Sequence, residues 1–326
     1  VSNTPRAAGN ALHTPVLVGE CIRILAPAFG SYTDPVLIDC TLGMGGHSEA
    51  FLREFPHLRV IGIDRDAEAI TLAQERLAPF EDRFTAVRTT YDRVDDVAAT
   101  APGTVAGILM DLGVSSLQLD ETERGFSYAK DAPLDMRMDV SAGQSAAELL
   151  ATASADELQR ILVTYGEERF ARRIVHAIVE RRAHYPITHT AELVDIVRDS
   201  IPAPARRTGG NPAKRTFQAL RIAVNNELTV LEDALPRAID ALAVGGRIVV
   251  EAYQSLEDRI VKREFAQGAR SHTPEGLPVE LPGYEPYLSL VTHGALKASP
   301  SEKESNPRSA SVRLRAAEKL RQKRKN

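Results

Sequence analysis

One stretch near the amino end constrains this chain more than any other. Pro35–Asp39 is a short apolar run closing on an acid. It is followed by Thr41-Leu42-Gly43-Met44-Gly45-Gly46-His47 and then, over residues 48–55, by apolar positions at helical spacing. A buried strand, a glycine turn that lets backbone amides approach a ligand, and a helix opening from that turn form the first unit of an open α/β sheet.

The rhythm continues. Val60, Ile61, Gly62 and Ile63 end in Asp64, and Ala67–Leu77 reads as a helix. Residues 84–87 are a third strand, and residues 105–110, closing on Asp111, a fourth. Alternation of this kind predicts a parallel sheet covered on both faces. The next core strand is residues 247–250, announced by a helix over 228–243 and its Gly245-Gly246 stop. A single crossover needs on the order of 30 residues, so most of the chain between Asp111 and Leu228 must form something extra. Its apolar positions recur at helical spacing (Leu158, Ile161, Leu162; Phe170, Ile174, Ile178; Leu193, Ile196, Val197; Phe217, Leu220, Val224), which predicts a small helical insert. Ser255-Leu256-Glu257-Asp258 reads as a capping box opening a helix to about residue 266. Residues 287–292 and 311–315 read as two antiparallel closing strands at a sheet edge.

Two cofactor classes compete for the glycine loop. A dinucleotide fingerprint would run Gly43, Gly45 and a glycine at 48, but that position is Ser48. Asp39 would set an anion beside a pyrophosphate, whereas a cofactor bearing an ammonium and a sulfonium suits that corner. Both points favour S-adenosylmethionine over a nicotinamide dinucleotide. Asp64 ends the second strand where an acid can accept both hydroxyls of an adenosine ribose. The alternative, that it only caps the following helix, is open equally to Asp66. Asp111 ends the fourth strand facing the same cleft.

Composition adds limits. The 326 residues are 43% hydrophobic with a formal charge of −4, enough for a large α/β domain with a second unit and against a protein that coats nucleic acid indiscriminately. No apolar run approaches the roughly 20 residues of a membrane span, and the opening residues lack a signal-peptide core. The cytoplasm and the absence of a membrane partner are the expectations. Cys21 and Cys40 suit buried apolar sites rather than a metal or disulfide framework. Basic residues cluster at Arg206, Arg207, Lys214, Arg215 and Arg221, and again in the tail at Arg308, Arg313, Arg315, Lys319, Arg321, Lys323, Arg324 and Lys325. Such clusters either neutralise phosphates or are solvated surface.

Six blocks then appear in order: His13-Thr14-Pro15-Val16-Leu17; Asp39 through Ser48; Asp111-Leu112-Gly113-Val114-Ser115-Ser116-Leu117-Gln118-Leu119-Asp120; Pro133-Leu134-Asp135-Met136-Arg137-Met138-Asp139; Lys214-Arg215-Thr216-Phe217-Gln218-Ala219-Leu220-Arg221-Ile222; and Ser255 through Arg259. Together they resemble the bacterial RsmH/MraW family, which methylates the 4-amino group of cytosine 1402 in 16S ribosomal RNA. The resemblance implies a Rossmann-like class I methyltransferase sheet with an inserted helical domain. Residues 13–122 and 223–317 would form the S-adenosylmethionine-dependent domain and 123–222 the substrate-binding insert, between a flexible 1–12 and a basic tail at 318–326. It implies cofactor contacts from Gly45, Gly46, His47, Asp64, Tyr91, Asp111 and Gln118; no metal is expected, and Asp111, by its place at the end of the fourth strand, is also the candidate catalytic residue. The expected partner is 16S rRNA within the 30S subunit, with a homodimer compatible. Departures are Tyr91 and Leu117, where the family has Phe and Pro, and Ala252-Tyr253-Gln254 in place of Ser-Phe-His.

Cytosine's amine is a poor nucleophile, so an enzyme acting on it must orient it in a dry pocket. Asp111 is the best-placed acceptor. Phe126, Tyr128 and Tyr253 are candidate platforms for an unstacked base, or core residues. An oxidoreductase and a non-catalytic assembly factor remain the rival classes at this point.

Overall fold

The computed structural model describes residues 14–206, 211–274 and 279–323. Its spine is a seven-stranded sheet: β1 (Pro35–Asp39), β2 (Arg59–Asp64), β3 (Phe84–Arg88), β4 (Thr104–Asp111), β5 (Arg247–Ala252), β6 (Leu288–Leu290) and β7 (Arg313–Lys319). The order is β3-β2-β1-β4-β5-β7-β6. β1 to β5 are parallel, and β7 runs antiparallel between β5 and β6. The chain steps outward from β1 to β3 and returns to β4, so the carboxyl ends of β1 and β4 flank the switch point where such sheets bind ligands.

Helices cover both faces, which is why the inner strands are apolar without alternation. On one face lie α1 (Val18–Phe29), α2 (Gly46–Glu54) and α3 (Ala67–Leu77), sharing a core with Leu37, Leu109 and Val249. The first of these was not read from the sequence, although Cys21, Ile24, Leu25 and Ala28 recur at helical spacing and are all buried. The opposite face carries α4 (Val94–Ala99) and later elements, packed on Ile38, Ile108 and Val250.

After β4 the chain leaves the sheet through α5 (Ser116–Asp120). It then builds α6 (Ala146–Thr152), α7 (Ala155–Gly166), α8 (Ala171–Arg182), α9 (Thr190–Ser200), α10 (Ala203–Arg206) and α11 (Lys214–Asn225). These helices enclose their own apolar cluster, with Leu158, Ile161, Leu162, Ile174, Ile178, Leu193, Val197, Phe217 and Leu220 inside it, where the helical spacing placed them. A buried ion pair joins this layer to the sheet. The Asp66 carboxylate caps α3 by accepting from the Glu68 amide, and it also takes the Arg124 guanidinium at 2.8 Å. Arg124 reaches onward to the carbonyl of Met138. The following Gly125 sits at φ +71, where a Cβ would lie 2.3 Å from the Pro133 carbonyl, so a side chain there would reopen the turn.

The chain returns through α12 (Glu227–Ala241), continues after β5 into α13 (Ser255–Gly268), and adds α14 (Pro300–Ser305) before β7. Three expectations are corrected here. The capping box of α13 is formed by Gln254 and Glu257, one residue earlier than the Ser255 reading. The final strand starts at Arg313 and runs to Lys319, so the start of the expected basic tail at 318–326 belongs to the sheet. Lys319 is fully buried. Its Nζ donates to the carbonyls of Asp240 and Leu242 at 2.8 Å each, covering the negative end of α12, while burial pushes its pKa down. Arg313 and Arg315 both bind Asp258, and Arg308 binds Asp120, so these tail cations are paired with carboxylates. Residues 1–12 and 324–326 lie outside the described residues.

Candidate active site

A cleft of about 740 Å³ opens at the carboxyl ends of β1, β2, β4 and β5, within the size range of small-molecule and cofactor sites. The glycine loop forms its floor. Leu42 N–H donates to the Ile63 carbonyl and Gly43 N–H to Asp64 Oδ2 (2.8 Å), stitching the loop to β2. Gly43, Met44, Gly46 and His47 face the cleft. Gly45 does not. Its φ is +77, its amide bonds Leu42, and an added Cβ would meet Leu77 at 3.0 Å. Its glycine is required by backbone conformation and packing, and cofactor contact at Gly45 stands as a proposal for its backbone. Asp39 is likewise behind the site. It is fully buried, accepting from the Ser48 hydroxyl (2.7 Å) and the Thr41 amide, so it braces the loop rather than meeting a ligand charge.

Asp64 lines the cleft at the end of β2, its carboxylate accepting from the Gly43 and Asp66 amides. Burial pushes its pKa up to about 6 against those two amides, which favour the charged form. Helix capping falls to Asp66, which leaves Asp64 free to face a ligand. Tyr91 lines the wall beyond, and burial pushes its phenol upward. Gln118 borders the cleft with both ends of its amide engaged: Oε1 accepts from the Ser115 amide and Nε2 donates to Asp66.

At the end of β4, Asp111 receives two contacts that the sequence did not disclose. Its amide donates to the Thr41 hydroxyl (2.6 Å), and the Tyr253 hydroxyl, from the segment after β5, donates to Oδ1 (2.8 Å). His47, nearly buried, is bonded through Nε2 to the Val16 carbonyl and stands 3.7 Å from both Asp111 and Glu251. Cys21, His47 and Glu251 place one ligand-type atom each within 4.8 Å. Here the thiol donates to Glu251 and the ring bonds to backbone.

The far wall comes from the helical insert and from the segment before β7. Phe126, Tyr128, Lys214 and Phe217 border the cleft, as do Asn306 and Ser311. All three aromatics singled out in the sequence, Phe126, Tyr128 and Tyr253, therefore reach it. The basic cluster divides. Lys214 is exposed at the cleft and Arg215 is exposed beside it, donating to the Glu167 carbonyl; Arg206, also exposed, donates to the Ile201 carbonyl. Arg207 lies outside the described residues. Arg221 points into the cleft and is held by Glu227 through two bonds of 2.8 Å, so its charge is matched by a carboxylate and it is not among the surface cations. Sequence reasoning missed Arg169, Arg172 and Arg173, all exposed, at and just before the start of α8. Their signal was a first helical turn without an acid, unfavourable to the helix dipole.

A parallel sheet with a glycine loop at β1, a buried cleft-facing acid at β2 and an acid at β4 is the architecture of a Rossmann-like S-adenosylmethionine-dependent methyltransferase. The donor set fits that cofactor: Asp64 offers acceptors for a ribose, Tyr91 a flat surface, and Asp111 a negative group near the loop. The chain belongs to the MraW methylase family, whose model matches residues 10–320. It is 62% identical to the Ribosomal RNA small subunit methyltransferase H of Beutenbergia cavernae over 320 residues, covering 98% of this chain and 96% of that protein. It is 60% identical to the protein of that name from Mycolicibacterium smegmatis over 314 residues, covering 94% and 84%. Among solved structures, an rRNA methylase from Streptococcus thermophilus aligns at a TM-score of 0.44 and 10% identity, over 96% of this chain and 100% of that one.

Proposed function

We propose that this methyltransferase acts in the cytoplasm on the 4-amino group of a cytosine, position 1402, in 16S rRNA of the small ribosomal subunit. The observation that carries the reading is the continuity of the cleft. One surface runs from the glycine loop and Asp64, past Asp111, to an aromatic and cationic wall on the helical insert. The names of the relatives support rRNA of the small subunit as the substrate, and the resemblance carried by the six sequence blocks supports the cytosine.

Bound at the loop, S-adenosylmethionine supplies an electrophilic methyl group on a sulfonium. Asp111 then accepts a hydrogen bond from the exocyclic amine and holds its nitrogen toward that methyl. Tyr253, donating to Oδ1, fixes the carboxylate rotamer. The residue thus serves to orient the amine, and the surplus proton passes to water after methyl transfer. Phe126 and Tyr128 offer faces for a base withdrawn from its stack. The insert, residues 123–222, holds the RNA backbone through Lys214, Arg215 and Arg206.

Mass mapping of 16S rRNA from cells with and without the protein is the test of the reaction. Loss of a 4-amino-methylated cytosine at 1402 in the deletion, restored by the wild-type chain and not by Asp111→Asn, is expected. In vitro, Asp111→Asn should slow single-turnover transfer by roughly 10²-fold or more and leave RNA affinity unchanged. Collapse of RNA affinity with normal transfer would remove Asp111 from the chemistry. Replacing Lys214 and Arg215 together with Ala should weaken RNA binding and flatten its salt dependence by about 0.7 to 0.9 log units per lost contact. Cofactor affinity should hold constant. An unaltered slope across a salt series would make this wall a solvated surface.

A further inference from the structure

Glu251 is an acid in the middle of an apolar sheet that the reaction described above does not use. It lies on β5 directly beside Asp111 on β4, as neighbours in parallel register, and it is fully buried. Its Oε1 accepts from the Cys21 thiol at 3.4 Å, while its Oε2 has no hydrogen-bond donor. The nearest ring nitrogen, His47 Nε2, is 3.7 Å away and already bonded to the Val16 carbonyl. The two carboxylates, neighbours on adjacent strands, also flank one imidazole, with Asp111 Oδ2 3.7 Å from His47 Nδ1 and Glu251 Oε2 3.7 Å from His47 Nε2. Two carboxylates are acceptors only, so a bond between them requires a proton on one. Like charges this close cannot both persist in a buried site.

We propose that a proton lies between these two groups, carried on Glu251 Oε2 and donated to Asp111, so that Glu251 is a neutral positioning residue for the acid at the cleft. The surrounding groups support this placement. Glu251 faces Cys21 from α1, His47 from α2, Asp111 from β4 and Glu302 from α14, with Tyr253 two residues on. Its partner across β7 is Leu314, and the flanking Arg313 and Arg315 are both bound to Asp258. Among the described residues no lysine or arginine pairs with it. Burial, then the charge of Asp111, hold its pKa well above the usual carboxylate range. Asp111 thereby receives two donors from behind, Tyr253 and Glu251, and its lone pairs toward the cleft are directed. The inference rests on the assignment of Asp111 to the methyl-transfer site.

Infrared spectroscopy of the protein without RNA tests it, so a failure of the rRNA assignment leaves this result readable. The difference spectrum of wild type minus Glu251→Gln at pH 7 should contain a protonated-carboxyl C=O band, and in Asp111→Asn that band should shift because its acceptor has changed. Thermal melting supplies the linked measurement. A carboxyl whose folded pKa is raised contributes stability that is lost as pH rises through that value. The wild-type Tm should therefore fall relative to that of Glu251→Gln as pH is raised from 7 to 10. If Gln does not fold, Glu251→Met fills the same buried space and serves both measurements. Absence of the band at pH 7, a band indifferent to Asp111→Asn, or parallel Tm curves overturns the proposal.

Discussion

Asp64→Ala is expected to lower affinity for S-adenosylmethionine by a hundredfold or more. Hydrogen bonds to a charged group are worth about 1.5 to 3 kcal/mol each, and the ribose offers two. The same carboxylate accepts from the Gly43 and Asp66 amides, so its removal also loosens the glycine loop, which keeps only the Leu42–Ile63 backbone bond to β2. pH provides an internal check. Ribose hydroxyls donate to the ionised form, and burial has raised the pKa of Asp64 to about 6. Affinity should hold above that value and fall as pH drops through it, because binding must then expel a proton. Calorimetry between pH 5 and 8 measures both effects. A folded Ala variant with wild-type affinity, or an affinity flat across this range, would sink the assignment.

The largest stability effect is expected at Arg124. Arg124→Met leaves the Asp66 carboxylate buried without its cation, and breaking a buried pair from one side costs about 3 to 5 kcal/mol. The loss should reach function, since the Asp66 amide is one of the two that hold Asp64. Adding Asp66→Asn to the same chain removes the stranded charge and should recover much of the loss. Urea unfolding of the two single variants and the double variant closes the cycle. A cost below about 1 kcal/mol for Arg124→Met would mean that the guanidinium is replaced by water at no penalty.

The alternation of strands and helices was legible in the sequence because apolar runs ending in Asp39, Asp64 and Asp111 are local signals. The helical insert was legible through its length and spacing. What escaped were features made by partners distant in the chain. Asp39 appeared to face a ligand until the Ser48 hydroxyl and the Thr41 amide were seen to consume it. Gly45 stood in the motif beside Gly46, and only its φ and its distance to Leu77 separate a residue that supports the loop from one that lines the cleft. Arg221 looked like its basic neighbours, but helical phase turned it inward onto Glu227, six residues further along. Tyr253 was noted as a departure and a candidate platform, yet its bond to Asp111 spans 142 residues. The helix over Val18–Phe29 was overlooked, and Pro27 inside it weakened its signal.

The position of β7 bears on how the chain is assembled as it is made. This strand sits between β5 and β6, and its Lys319 closes the carboxyl end of α12. The sheet edge is therefore unfinished until residues 313–319 have been made, leaving β5 without its outer neighbour until then. The helical layer, whose buried core runs from Phe126 to Leu220, can condense well before that moment. A chain ending at residue 311 should then keep slow hydrogen exchange in the insert while β5 exchanges freely. In this molecule the helical layer is ready first, and the cleft, whose rim includes Asn306 and Ser311, is completed last.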